Sequence, residues 1–500
     1  MLYTSRRHIA SALVALPLAA LTAGCPAKPT QRPQPVAPAT PEASGNPGPS
    51  AAKPATEPPA PPLPPPHTTP PTPAQFAAPP VAGDWTGYLG DTRRSGTRQV
   101  PAIRIPRIAW STRVGIQGYA NTPLVTPSAV IVGSQGSEWN KPDADDAVLA
   151  LDPKTGAQLW RVPADSDVNG IGLYGSTVIF GTDNGTLVAL DAQNGNTRWS
   201  TPTGCPLRHP PALVGGQLHL LRESGLASVS AETGKGPQEL PPCRRSDRGG
   251  LSVADDVIYA SANNRPLAAY RDGRELWRVA SPSPTLTSFV AWTPPYVGAE
   301  LLLQSVQRWT FDGTQGVATE PALLAVWRDN GQVAWAARVN APDIVDPTGN
   351  LPGDPHFKMP PWVAGDRAFV ASNAGPVLEA FNLADGSRAG TIKLPDCRTR
   401  QFGGIVGTPD MGYFARHDGV VYGFSPSRMA IEWSLSVGLH AAAGGRSTHF
   451  VAPAGCSPEP ADGTALFAPP ALGADGTLYV GSGDGWLYAI TDASTAASPR

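Results

Sequence analysis

Two stretches of this chain decide its fold because they are copies of one pattern. Residues 148–160 read Val-Leu-Ala-Leu-Asp-Pro-Lys-Thr-Gly-Ala-Gln-Leu-Trp, and residues 187–199 read Leu-Val-Ala-Leu-Asp-Ala-Gln-Asn-Gly-Asn-Thr-Arg-Trp. The alternating apolar run is typical of a strand. The Asp-x-x-Thr/Asn-Gly segment is typical of a tight turn in which glycine supplies a positive φ. The next strand ends in a Trp that is large enough to fill the gap between neighbouring sheets.

The pattern recurs along the chain. Four turn glycines follow one another at intervals of 39 residues, namely Gly156, Gly195, Gly234 and Gly273. Two more short strands precede each copy, and four strands per ~40 residues are typical of a β-propeller blade. We expect the Trp of each repeat to lie in the core between blades; these residues are Trp110, Trp160, Trp199, Trp277, Trp335 and Trp433.

The two ends of the repeat region predict a closed ring. The last copy, residues 486–491, has no Trp strand after it, whereas Ile108-Ala-Trp-Ser111 stands alone before the first complete copy. Pairing these two segments would remove both exposed sheet edges. The sequence therefore predicts an all-β, eight-bladed propeller of four-stranded antiparallel blades, seven complete and one shared between the ends. Longer spacings between the later repeats predict loop insertions in blades five and six.

These repeats resemble those of the pyrroloquinoline-quinone-like (PQQ-like) propeller superfamily, and the resemblance covers residues 83–492. Residues 83–96 also resemble the lead-in that precedes many such propellers. The enzymes of this superfamily bind the quinone over Ca²⁺, and they typically carry two adjacent cysteines and often a CxxCH haem segment. Neither feature is present here. The resemblance therefore implies the fold, and it does not by itself imply the chemistry.

The first 82 residues predict export, anchoring and a tether. Residues 1–24 have a basic start, an apolar centre and small residues before Cys25, which is the pattern of a signal peptide. The segment ending at Cys25 resembles a bacterial lipobox, which implies lipidation of that Cys; an ordinary signal peptide is the alternative. The pair Arg6-Arg7 leaves twin-arginine export open beside the general route. Residues 25–82 are rich in Pro and poor in apolar side chains, so we expect a disordered tether, and we expect a disordered tail at 493–500.

Four further cysteines follow Cys25. By their spacing from the last strand of a blade, all four should lie on one face of the ring, in neighbouring blades two by two. We predict the disulfides Cys205–Cys243 and Cys397–Cys456, although four cysteines allow three pairings and free thiols remain an alternative. Exported chains commonly carry such bonds.

Candidate chemistry is sparse. Asp143-Ala-Asp-Asp146 resembles half of an EF-hand loop but lacks the Gly and the closing Glu. The histidines, among them His209, are scattered. We therefore predict no catalytic residues and no metal site. The net charge of −2 gives no reason to expect nucleic acid as a partner.

We expect a monomeric, non-catalytic scaffold that docks envelope proteins on its propeller loops. The chain resembles the propeller lipoproteins of the outer-membrane Bam assembly complex in its lipobox and repeats. Pro26 stands where a retaining Asp would keep a lipoprotein in the inner membrane, which favours the outer membrane and leaves its leaflet open. The alternatives are a dehydrogenase that uses PQQ with calcium, and a ligand- or carbohydrate-binding surface protein.

Overall fold

The structure is a computed structural model. It describes residues 63–118, 121–138, 141–222, 225–236, 240, 249–262, 265–279, 287–291, 293–311, 316–339, 359–371, 377–394, 404–416, 419–437, 468–483 and 485–495. These residues belong to one compact unit, Ala60–Arg500. No helix in this part of the chain is both long enough and apolar enough to cross a bilayer.

Eight antiparallel sheets follow one another as the blades of a propeller, so the predicted fold is confirmed. The strands of blades 1 to 4 are Leu124–Val125, Val130–Gln135, Asp146–Leu151 and Gln158–Pro163; Val168–Tyr174, Thr177–Thr182, Thr186–Asp191 and Thr197–Pro202; Ala212–Val214, Gln217–Arg222 and Gly225–Ser230; and Gly249–Ala254, Val257–Ala262, Arg265–Arg271 and Arg274–Arg278. The strands of blades 5 and 6 are Thr287–Val290, Tyr296–Val297, Leu301–Phe311, Gly316–Trp327 and Val333–Arg338; and Trp362–Ala364, Arg367–Val370, Val377–Asn382 and Arg388–Lys393. The strands of blades 7 and 8 are Val406–Thr408, Met411–Ala415, Val420–Ser425 and Ala430–Ser436; and Ala471–Leu472, Leu478–Gly481, Trp486–Asp492 and Pro106–Arg113. Short 3₁₀ helices span Pro73–Phe76 and Ala493–Thr495.

The ring closes as the sequence predicts. Strand Pro106–Arg113 pairs antiparallel with Trp486–Asp492, and Trp110 lies opposite Ala489 in this register. One blade therefore combines strands from both ends of the repeat region. The pairing covers the outer edge of Trp486–Asp492, and Pro106–Arg113 becomes the outermost strand of this blade.

The repeat Trp and the turn Gly form one contact between neighbouring blades. The indole N–H of five of these Trp residues donates to a backbone carbonyl of the next blade: Trp110 to Pro153 (3.0 Å), Trp160 to Ala192 (3.3 Å), Trp199 to Ala231 (3.0 Å), Trp277 to Arg328 (2.9 Å) and Trp335 to Leu383 (2.8 Å). The sixth, Trp433, donates to the carbonyl of Ile103 (2.8 Å), which lies just before the strand Pro106–Arg113. The rings of those five also cover a turn glycine of the next blade. A Cβ on Gly156 would lie 2.5 Å from the Trp110 ring, and one on Gly234 would lie 2.4 Å from that of Trp199. The glycine is therefore needed both for its positive φ and for the space that the neighbouring Trp fills.

Blades 4 and 7 lack this Trp–Gly contact because the blade before each has no Trp at the repeat position. Gly273 has φ +75°, but a Cβ there would meet no atom within 4 Å. The preceding blade carries Leu240, not Trp, at the repeat position. After blade 6, which carries Ile392 at that position, the turn of blade 7 has Met429 at φ 53° in place of a glycine.

Two blades depart from four strands. Blade 3 has three strands among the described residues, and blade 5 has five. The insertion that we expected as a loop in blade 5 is largely strand, because Leu301–Phe311 and Gly316–Trp327 form one long hairpin. Most of the corresponding insertion before blade 6 lies outside the described residues.

The second part of the expected tether packs on the propeller. Residues 63–82 are here called the strap; its His67 and fully buried Phe76 lie against blade 5, and the N–H of Val81 donates to the carbonyl of Thr97 at 2.7 Å. Composition predicted disorder because the segment has few apolar side chains, but a few well-placed anchors are sufficient here. Pro71 and Val81 are also buried.

Candidate functional site

The ring has two faces that differ in what they carry. The turns between first and second strands, and between third and fourth strands, lie on one face. The turns between second and third strands, and the connections between blades, lie on the other. We call them the plugged face and the loop face.

The plugged face is crossed by the lead-in, residues 83–105. Its backbone hydrogen-bonds to the first strands of several blades: Trp85 with Val125 in blade 1, Thr86 with Leu173 in blade 2, Thr92 with Val253 in blade 4, Arg93 with Val297 in blade 5, and Gly96 and Arg98 with Gly407 in blade 7, at 2.8–3.0 Å. First strands surround the axis of a propeller. The lead-in therefore lies across the axis and covers this end of the ring.

Arg94 is buried within the lead-in at 6% exposure. Its guanidinium donates to the carbonyls of Leu251 (2.8 and 3.2 Å), Tyr88 (3.0 Å) and Asp91 (2.9 Å). Burial lowers the pKa of Arg94, while Tyr174 and Asp91 oppose that shift. The bonds to Tyr88 and Asp91 lie within the lead-in, and the two bonds to Leu251 hold the lead-in on blade 4.

Buried amides mark the loop-face ends of the inner strands. Asn121 donates to the carbonyl of Val168 (2.6 Å), Gln135 donates to the Oδ1 of Asn169 (2.7 Å), and Asn169 donates to the carboxylate of Asp183 (3.0 Å). This chain of hydrogen bonds joins blade 1 to blade 2 and holds their inner ends in register.

Several buried oxygens in the same region have no hydrogen-bond partner among the described residues. They belong to Gln117, Asn121, Thr122, Gln135, Thr293 and Gln304. Buried polar atoms are normally bonded to protein, to ordered water or to a ligand. The loop-face end of the ring can therefore accept hydrogen bonds from N–H or O–H donors.

Two titratable groups lie beside the amide chain. Burial, together with the cations of Arg208 and Arg94, lowers the pKa of His209 to about 3, so this imidazole is neutral near pH 7. Burial raises the pKa of Asp183, while the Arg208 guanidinium and the Asn169 amide lower it. Sequence reasoning treated His209 as an ordinary loop residue and did not single out Arg94 or the amides, because no short motif marks them.

The acidic segment that resembles half of an EF-hand is a self-bonded turn. One oxygen of Asp143 accepts from the amide and the hydroxyl of Ser137, both at 2.8 Å, and from the amide of Glu138 at 3.0 Å. Asp146 is 1% exposed, and burial, together with the carboxylates of Asp143, Asp145 and Asp165, raises its pKa to about 6.

A PQQ–calcium pair needs several oxygen donors around the metal ion. Among the described residues, no three His, Cys, Asp or Glu side chains come close enough to hold a metal ion. The acidic side chains in these ranges therefore do not form a calcium-binding set.

The other predicted residues are placed as follows. Cys205 is buried and disulfide-bonded, but its partner lies outside the described residues, so the pairing with Cys243 stays a prediction. Cys25, Cys397 and Cys456 lie outside them too. Trp362, a non-repeat Trp, packs in the core against Phe424.

Blade 5 extends the loop face. Its second strand, Leu301–Phe311, has 11 residues, whereas the second strands of the other blades have at most six. The extension pairs with Gly316–Trp327 on one side, and Thr287–Val290 adds a strand on the other. The resulting hairpin reaches beyond the turns of the other blades on this face.

Comparison with known proteins agrees with this architecture. A family model described as outer membrane protein assembly factor BamB matches residues 144–237. Among solved structures, BamB from Moraxella catarrhalis aligns over 79% of this chain and 100% of its own, with a TM-score of 0.53 and 15% identity. The quinohemoprotein alcohol dehydrogenase of Comamonas testosteroni aligns over 84% of this chain and 82% of its own, with a TM-score of 0.59 and 14% identity. The chain thus has the β-propeller fold and resembles PQQ-like propellers.

More particularly, this propeller resembles BamB, and its sequence is also similar to quinoproteins. BamB of Nitrosomonas eutropha is 28% identical over 133 residues, which span 25% of this chain and 32% of that protein. Quinohemoprotein alcohol dehydrogenase ADH IIB of Pseudomonas putida is 24% identical over 295 residues, which span 53% of this chain and 41% of that protein. The chain thus spans less than half the length of either relative.

Proposed function

We propose that this chain is a lipid-anchored propeller of the cell envelope that binds other envelope proteins on its loop face, as a monomer and without catalysis of its own. The anchor is a lipid on Cys25, and the outer membrane is its site. No cofactor is needed for this role.

The observation that carries the proposal is the asymmetry between the two faces. The plugged face is already hydrogen-bonded to the chain's own lead-in. The loop face instead carries the extended hairpin of blade 5, and the connections that leave blades 5 and 7 begin and end there. Loops and extensions on a rigid scaffold commonly carry binding functions. The likeness to a protein named as an outer-membrane assembly factor supports the same reading.

A quinone-dependent dehydrogenase is the second candidate, and the similarity to the Pseudomonas putida enzyme favours it. Absorbance and dye-reduction measurements on the purified chain distinguish the two candidate functions. Adding PQQ with Ca²⁺ and an alcohol should leave the absorbance spectrum and dye reduction unchanged if the chain is a scaffold. A quinone spectrum with alcohol-dependent dye reduction would favour the dehydrogenase.

The scaffold role is tested by shortening the hairpin. Replacing residues 307–321 with Asn-Gly, which favours a two-residue hairpin turn, keeps the pairing of Val306 with Ala322. We expect chemical cross-linking in envelopes to link the natural chain to partner proteins and to lose some or all of these links in the shortened chain.

A Cys25→Ser chain provides the matched control, because it should be released from the membrane with its hairpin intact. If the shortened and natural chains give the same cross-linked partners, the hairpin has no part in binding. If the natural chain gives no partner at all, the scaffold proposal is wrong.

A further inference from the structure

The outer edge of blade 5 on the plugged face holds the strap through contacts that resemble peptide recognition. The strap begins at Leu63, and its first anchor is His67. The His67 ring stacks on Trp327 with centroids 3.7 Å apart and planes inclined by 7°. Its Nε2 lies 3.0 Å from both carboxylate oxygens of Asp329.

The side chain of Gln332 hydrogen-bonds to both backbone groups of His67. The His67 N–H donates to the Oε1 of Gln332 at 2.7 Å, and the Nε2 of Gln332 donates to the His67 carbonyl at 3.1 Å. Asn330 donates to the carbonyl of Pro65 at 3.4 Å. A pair of bonds to both backbone groups of one residue requires an extended chain at that position.

The second anchor is Phe76. Its side chain is fully buried, with its ring 6.1 Å from that of Trp335. Its carbonyl accepts from the Tyr296 hydroxyl at 2.8 Å. The preceding residue, Gln75, pairs with Glu300 twice: its carbonyl accepts the Glu300 amide, and its side-chain amide donates to the Glu300 carboxylate, both at 2.8 Å.

The groove is shaped for a backbone. A Cβ on Gly298 would lie 2.5 Å from the Phe76 carbonyl oxygen and 2.7 Å from its Cα. Gly298 does not have a positive φ. Its missing side chain is therefore needed for the approach of the strap and not for the conformation of the turn.

From these contacts we infer that this edge of blade 5 is a peptide-binding site for proline-rich segments that are extended around a His and end in a 3₁₀ turn at a Phe nine residues further on. Its occupant in this chain is the strap, bound within the same molecule. Prolines pre-order such a segment in an extended form, so little entropy is lost on docking. A cavity of about 420 Å³ opens beside His67, lined in part by Tyr259 and Arg271, which leaves room for larger side chains next to the histidine.

Docking within one molecule predicts a strong block against outside ligands. A tethered ligand has an effective concentration in the mM range, and linkage raises apparent affinity by about 100-fold or more. A free peptide of the same class should therefore bind the natural chain poorly, and it should bind well once the strap is weakened. This site is on the plugged face, and the inference does not depend on the proposed scaffold role.

The test uses the full chain and a labelled peptide with the sequence of residues 63–80. In His67→Ala/Phe76→Ala the strap loses both anchors and the groove keeps its residues. We expect fluorescence anisotropy to show peptide binding to this double variant at an affinity about 100-fold or more above that of the natural chain. Adding Gly298→Ala should abolish that binding, and a scrambled peptide should not bind.

Circular dichroism and thermal unfolding verify that each variant is folded. If the double variant does not fold, hydrogen exchange is measured on Gly298→Ala alone and compared with the natural chain. The Glu300 amide, which donates to the Gln75 carbonyl, should then exchange faster in the variant. Two results would overturn the inference: no peptide binding by a folded double variant at mM peptide, or equal binding with and without Gly298→Ala. A concentration-dependent dimer of the natural chain with exchanged straps would overturn docking within one molecule.

Discussion

The contact between each repeat Trp and the next turn Gly can be tested with two alanine substitutions at glycines of nearly equal φ. Gly156 has φ +71° and Gly273 has φ +75°. Both would force alanine into the left-handed region, at a cost of about 1–2 kcal/mol. Only at Gly156 would the new Cβ also collide with a ring, 2.5 Å from Trp110.

The collision adds a cost that the structure allows us to bound. Overpacking by one methyl group in a tight contact destabilises by about 1–3 kcal/mol. Gly156→Ala should therefore lower the free energy of unfolding by about 1–3 kcal/mol more than Gly273→Ala. The change in unfolded-chain entropy from Gly to Ala is common to both variants and cancels.

Urea unfolding, followed by far-ultraviolet circular dichroism, measures both variants against the natural chain. In a Trp110→Ala background the ring no longer collides and the Thr112 hydroxyl, 2.6 Å from the new Cβ, still does, so the excess cost of Gly156→Ala over Gly273→Ala should become smaller. Equal destabilisation by the two substitutions in the natural chain would refute the reasoning, because only the Cβ at Gly156 meets the ring of a neighbouring blade.

Three further outcomes follow from other residues. The pKa of Asp146 is raised to about 6, so between about pH 4 and pH 6 the native carboxyl holds a proton that the unfolded chain has released. The stability of the natural chain should therefore fall as pH rises through this window. Asp146→Asn lacks this titration, and its melting temperature should rise relative to that of the natural chain over the same window. Non-reducing peptide mapping should recover Cys205 joined to Cys243, and Cys205→Ser should cost about 3–4 kcal/mol of stability. Metabolic labelling with palmitate should mark the natural chain, and Cys25→Ser should be unlabelled and released from membranes.

Much of the fold could be predicted from the sequence because the decisive contacts are local in the repeat. Each turn Gly and each Trp occupy a fixed place in a unit of about 40 residues, so spacing alone places them on adjacent blades. The strand around Trp110 could be assigned to blade 8 because it has the form of the one strand that the last repeat lacks.

The strap and the polar cluster could not be predicted because their contacts are remote in sequence. His67 meets Asp329 and Gln332 across more than 260 residues. Composition describes the strap correctly as proline-rich, but it does not show that Gly298 leaves a groove for it. The amides of Gln135 and Asn169 likewise meet only because blades 1 and 2 are neighbours.

The blade 5 insertion shows a third limit. Its length is visible in the spacing of the repeats, but whether added residues form a loop or a longer hairpin depends on cross-strand pairing. Here the pairing of Leu301–Phe311 with Gly316–Trp327 continues outward from the blade. An extended hairpin needs no repeat signal, because it only lengthens strands that the blade already has.

Site-specific photo-cross-linking can establish whether the loop face binds partner proteins. Glu138 on the loop face and Asp366 on the plugged face have similarly exposed side chains, at 62% and 69%. A photoreactive residue at position 138 should give discrete protein adducts in intact envelopes, and one at position 366 should give none of them. Adducts confined to position 366, or the absence of adducts from both positions in a membrane-retained chain, would contradict the account.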